Sequence, residues 1–148
     1  MNKPIAQAPL GAMLQDVGTE AGTKACYFDV AALAGYGDDK LSSLVPEADR
    51  EQWSNEYKGL GRTYPIVLSP EMTVLKYIAN PNVGIGPHHH GVNQLIYVLK
   101  GELHMGTNVL TAGMGYYHPA KKYSWKSGPE GVEFLEVYSG YPASPITK

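Results

Sequence analysis

Pro87-His88-His89-His90-Gly91-Val92-Asn93-Gln94-Leu95-Ile96-Tyr97-Val98-Leu99-Lys100-Gly101 decides how this chain of 148 residues is read. In an extended backbone successive side chains point to opposite faces, so His88 and His90 project together while His89 projects away. A continued extended run, or an even-length turn across Gly91, Val92 and Asn93, returns Gln94 to the same face. Two imidazoles and one carboxamide then converge. Such donors suit one divalent transition metal (Fe, Mn, Ni, Co or Zn), and three protein donors leave positions open for a substrate or dioxygen.

Beyond the histidines the stretch reads as a strand. Leu95, Ile96, Tyr97, Val98 and Leu99 are apolar at both parities, which predicts cover on both faces: a closed-sheet interior on one side, the N-terminal arm or a second copy of the chain on the other. Working outward, strands are expected at 65–69, 72–78, 94–99, 102–105, 115–118 and 132–138. Ser69-Pro70-Glu71, Asn80-Pro81-Asn82, Lys100-Gly101, Gly106-Thr107-Asn108 and Ser127-Gly128-Pro129 read as turns between them. Short strands at this spacing, in a chain with 17 Gly and 11 Pro, predict an all-β sandwich or barrel. The N-terminal part differs, with one expected strand at 26–30 and a short helix within 41–60. Pro46 suits the first turn of that helix, Glu47 and Asp49 favour its positive end, and Gly59 or Gly61 can close it. The length fits one domain, divided into an arm and short helix (1–63) packing on a barrel (64–148).

The histidine stretch resembles the first motif of the cupin superfamily: a glycine, His-x-His, three or four residues, a Glu, six residues and a Gly. Here Gly84 or Gly86 leads, His88 and His90 follow, Gln94 stands in the Glu position, and Gly101 closes the motif. The second cupin motif aligns on Gly113 and Pro119, with Lys121 for the turn glycine and Ser124 where the ligand histidine usually stands. The resemblance spans Ile66 to Tyr138. It implies a single jelly-roll barrel of the small RmlC-like kind, with a metal held by His88, His90 and Gln94. His118, ahead of the second turn, or Tyr123, beside Ser124, is expected to fill the vacant corner as ligand or catalytic group. The activity implied is that of a metalloenzyme acting on a small organic acid, ketone or enol, foremost a dioxygenase with carbon–carbon cleavage. A non-redox lyase or isomerase is the alternative, and so is a non-catalytic small-molecule binding or sensor barrel whose metal site has decayed. An amide in place of a carboxylate leaves the metal's charge uncompensated, so an anionic substrate is expected.

Other chemistry is excluded or secondary. Twelve basic against 14 acidic residues give a net charge of −2, without the basic stripe of a nucleic-acid platform. No phosphate-binding loop and no G-x-S-x-G elbow occurs, and one cysteine, Cys26, permits neither an internal disulfide nor a paired-cysteine zinc site. Cys26 is expected to be buried and structural. Residues 1–14 lack the apolar stretch of a signal peptide and nothing approaches a membrane span, so a cytoplasmic protein is expected, working as a homodimer on a small-molecule substrate. His104 is expected to be structural or near the rim, and Arg62 to lie in a surface salt bridge or to clamp a substrate carboxylate. Glu133 and Glu136 have opposite parities, so at most one of them faces the interior.

Overall fold

The computed structural model describes residues 19–20, 27–37, 47–51, 55 and 58–142. Among these the strands are β1 (Thr19–Glu20), β2 (Gly61–Leu68), β3 (Thr73–Ala79), β4 (Gly84–His88), β5 (Gln94–Met105), β6 (Asn108–Leu110), β7 (Gly115–His118) and β8 (Tyr123–Tyr138). The fold is an all-β jelly roll. Two long strands build it, because β5 and β8 run antiparallel and each serves both halves of one eight-stranded sheet, which fold against each other as two layers. The first half of β5 and the second half of β8 lie between β7 and β3, with β2 and then β1 beyond β3. The other halves of β5 and β8 pair with β6 and β4.

The strands change layers at breaks in register. Those on β5 fall between Val98 and Lys100 and between Gly101 and Leu103, so the expected Lys100-Gly101 turn is a kink inside one strand. Gly101 has φ +79, and a Cβ there would strike the carbonyl oxygen of Gly131. Ser127-Gly128-Pro129, also expected to turn, continues as strand, because β8 crosses from one layer to the other without leaving the sheet. β4, β6 and the first half of β8 were not expected as strands. Glycine and proline in Gly84-Ile85-Gly86-Pro87 hide the first, and the brevity of β6 hides the second.

The interior holds Ile96, Val98, Leu103, Met105, Leu110, Trp125, Val132 and Phe134, all buried. Alternation along β5 is clean: Gln94, Ile96 and Val98 are buried, while Leu95, Tyr97 and Leu99 are 41%, 43% and 39% exposed. The outer face expected to be covered is therefore open among the described residues.

Of the N-terminal region, the expected strand at 26–30 is absent over its described part. Asp29 instead caps a 3-10 turn at Val30–Ala32, its carboxylate accepting from the Ala31 amide at 3.0 Å, and Cys26 lies outside the described residues. The expected helix at 41–60 is described only in part, as a 3-10 turn at Glu47–Asp49 and helical backbone at Arg50, Glu51 and Asn55. Of residues 1–63, the described segment around Tyr36 lies against β2 and β3. Tyr36 exchanges backbone hydrogen bonds with Thr63 and packs, buried, with Leu75 and Tyr138. Among the described residues Arg62 makes no salt bridge; its guanidinium donates to the Ala34 carbonyl at 3.2 and 3.3 Å and ties that segment to β2.

Candidate functional site

Strand pairing brings the sequence-predicted residues to one end of the barrel. His88 ends β4 opposite Tyr123 of β8, and Gln94 starts β5 between His118 of β7 and Tyr138 of β8. His90 follows β4, and Gly91, with φ +74, turns the chain back so that Gln94 faces inward with the two histidines. Six buried side chains then form a closed circuit of contacts. Ring centroids lie 5.2 Å apart for His88 and His90, and 5.3 Å for His90 and Tyr138. Tyr138 accepts from the Gln94 amide at 3.1 Å, and the Gln94 oxygen stands 3.0 Å from His118 Nε2. Tyr123 closes the circuit, 4.5 Å from both the His118 and the His88 ring.

Both ring nitrogens of His118, and Nδ1 of His88, have hydrogen-bond partners. Nδ1 of His88 donates to the Gly86 carbonyl, and Nδ1 of His118 to that of Pro119, each at 2.8 Å. Burial lowers the pKa of His88 to about 4 and that of His118 below its ordinary value. Each ring is therefore neutral near pH 7, with its proton on Nδ1 and a lone pair on Nε2.

The Gln94 amide is equally constrained. Its nitrogen donates to Glu136 Oε1 at 3.3 Å and to the Tyr138 hydroxyl at 3.1 Å, which turns its oxygen to His118. Burial raises the Glu136 carboxyl to about 7 and pushes the Tyr138 phenol up as well.

Two lone pairs consequently face each other, 3.0 Å apart, with no proton between them. Two donors each about 2.1 Å from one ion and at right angles to it are separated by about this distance. With the His118 proton on Nδ1, a shared cation can span this separation. Among the described residues no three His, Cys, Asp or Glu side chains are placed to hold a metal ion, so the imidazoles alone form no site and the donor set depends on Gln94.

Several expectations are corrected or refined here. Ser124, aligned with the usual ligand histidine, is exposed, whereas Tyr123 is buried and occupies the inward position. His104 stays outside the circuit, bonded to Glu102 at 3.0 Å. Glu133 lies on the outer face, 3.4 Å from Lys76, and Glu136 faces inward. Glu136 and Tyr138 were missed as site residues. Their signal was a polar pair sharing the parity of the apolar Phe134. A cavity of about 430 Å³ adjoins the circuit, lined by Met105, Leu110, Tyr116, Lys122 and Tyr123 among others. Tyr123 is the member of the circuit that lines it.

No family profile and no curated protein matches the chain. Solved structures do. An RmlC-like cupin from Shewanella frigidimarina shares 22% identity and a TM-score of 0.52, over 57% of this chain and 80% of that one. KdgF from Halomonas shares 14% and 0.51, over 57% and 84%. The polyketide cyclase RemF from Streptomyces resistomycificus shares 19% and 0.52, over 60% and 70%. The protein has the cupin fold. At these identities that fold does not fix a reaction.

Proposed function

We propose that the protein is a cupin metalloenzyme acting on a small organic acid, ketone or enol. The observation that carries this reading is the pair of facing lone pairs on Gln94 and His118, beside the neutral imidazole of His88. Of the four candidates His88, His90, Gln94 and His118, Gln94 and His118 with one of the other two imidazoles would hold one divalent ion of the Fe, Mn, Ni, Co or Zn kind, which would supply Lewis acidity toward a substrate oxygen. The cavity beside Tyr123 supplies room for the substrate, with Met105 and Leu110 on its apolar side and Lys122 suited to an acid's carboxylate.

Within this reading we favour a non-redox proton transfer at an enolisable carbonyl over oxygen insertion. Tyr123 supports it: the residue lines the cavity and packs against two imidazoles, and its buried Oη would be the group that holds or gives a proton. The similarity in fold to a polyketide cyclase is consistent with that class. The test is to incubate metal-loaded protein with 1,3-diketones and 2-oxo acids in D2O, following carbon-bound deuterium by NMR and dioxygen with an electrode. Deuterium uptake without oxygen consumption is expected. Stoichiometric oxygen consumption would establish the dioxygenase instead, and inertness in both would leave a binding barrel.

For the assembly we propose a homodimer through the outer face of β5. Val74, Val137, Leu95 and Tyr117 lie in register across β3, β8, β5 and β7, and Leu95 and Tyr117 are 41% and 63% exposed. Sedimentation should give a dimer's mass, and Tyr97→Glu a protomer's; a monomeric native protein overturns the assembly. Among the described residues no helix is long and apolar enough to cross a membrane.

A further inference from the structure

Gln94 is neutral, which left the charge of a bound divalent ion unanswered in the sequence. A carboxyl group stands directly behind it. Gln94 Nε2 carries two hydrogens, and the two acceptors within reach are Glu136 Oε1 at 3.3 Å and the Tyr138 hydroxyl at 3.1 Å. Gln94, Glu136 and Tyr138 are all buried, and β8 presents Glu136 and Tyr138 two residues apart at one parity, so both point at the same amide. A glutamine amide can exchange its nitrogen and oxygen by rotating. Once ionised, Glu136 cannot donate, so it then accepts only the amide's nitrogen side and excludes the rotated form.

We propose that Glu136 is a positioning residue for the metal centre: acting through Gln94, it fixes the amide oxygen toward His118 and supplies from behind the negative charge that Gln94 lacks. This rests on the metal-binding reading above. It also revises the expectation of an uncompensated ion, because the compensating carboxyl is displaced by one side chain rather than missing. The substrate therefore need not be anionic for the site to approach neutrality.

The proposal makes a reciprocal demand on the two positions. Glu136→Gln offers Gln94 both a donor and an acceptor, frees the amide to rotate and removes the charge, so affinity for metal should fall about 10–100-fold. Gln94→Glu alone sets two carboxyls against each other and should bind metal no more tightly than the native protein. The exchanged pair, Gln94→Glu with Glu136→Gln, returns one carboxylate and one amide to the same contact and should recover affinity to within about tenfold of native.

Affinities for Ni(II) and Zn(II) are measured on the full chain by competition with a chromogenic chelator, and the visible spectrum of the Co(II) form reports the donor set. Tyr138→Phe removes the other acceptor while keeping the ring, and should give a smaller loss than Glu136→Gln. It keeps the test open if a Glu136 variant does not fold. Rescue in the exchanged pair supports the proposal, since a residue that only packs predicts two additive losses. Native affinity in Glu136→Gln, or an exchanged pair no better than Glu136→Gln, overturns it. A native protein that binds neither ion overturns the metal reading itself, and this proposal with it.

Discussion

The two ends of the barrel interior are built from the same two strands at the same parity, yet they are chemically opposite. Along β5 the inward positions run Gln94, Ile96, Val98, and along β8 they run Tyr138, Glu136, Phe134. Facing pairs are Gln94 with Tyr138, Ile96 with Glu136, and Val98 with Phe134. Polar groups thus give way to apolar ones within two rows. The apolar end holds the layers together through Phe134, Trp125, Val98 and Leu103, whereas the polar end costs stability, because each of its groups leaves water on folding. Gathering buried imidazoles, an amide, a phenol and a carboxyl at one end, in contact with one another there, is what marks that end as the site.

The largest effect expected is at the apolar end. Phe134 is fully buried against Tyr77 and Trp125, with ring centroids 5.5 and 5.6 Å away. Phe134→Ala should cost about 3–5 kcal/mol in urea unfolding. Metal affinity, measured where the variant is still folded, should hold. A comparable loss of affinity would show that the two ends are not separable.

His88→Ala inverts that pattern. The imidazole is buried and its Nδ1 is committed to Gly86, so its Nε2 is what the polar end loses. Affinity for metal should fall by at least the roughly 10–100-fold that an outer partner costs, with metal-free stability changing by about 1 kcal/mol. A stability loss as large as that of Phe134→Ala would make His88 a core residue rather than a site residue.

This contrast also sorts what could be read from the sequence. Alternation placed His88, His90 and Gln94 on one face, and β7 (Gly115–His118) was expected with its observed bounds, because both follow from local geometry. The length of β8 was not legible. Glycine and proline at 128 and 129 signal a turn in isolation, and only pairing with Leu103 and His104 on one side and Val132 with Gly101 on the other keeps them in the sheet. Glu136 was hidden for a related reason. Parity allowed either Glu133 or Glu136 inside, and the partners that decide, Lys76 for one and Gln94 for the other, are distant in sequence. Alignment to a motif misled at Ser124, since an inward position is set by register and Tyr123 holds it.

The smallest predicted effect is a pH slope that isolates two buried titratable groups of the polar end. In the metal-free protein His88 is held at about 4 against an ordinary 6.5, so acidification protonates the unfolded chain first, and stability is lost as pH falls from 6.5 toward 4. Glu136 is held at about 7 against 4.5 and acts the other way: the fold keeps its proton longer, so stability is lost as pH rises from 4.5 toward 7. Between 4.5 and 6.5 the two slopes oppose each other, and the native protein should show a shallow profile there. Glu136→Gln removes one of them. Its metal-free unfolding free energy should then fall on acidification by up to about 1.4 kcal/mol per pH unit from His88, with His118 adding in the same direction. Urea titrations at half-unit intervals from pH 4.5 to 6.5 measure both slopes. Equal slopes in the two proteins would mean that Glu136 carries the same proton folded and unfolded, and that the polar end is wetter than its packing indicates.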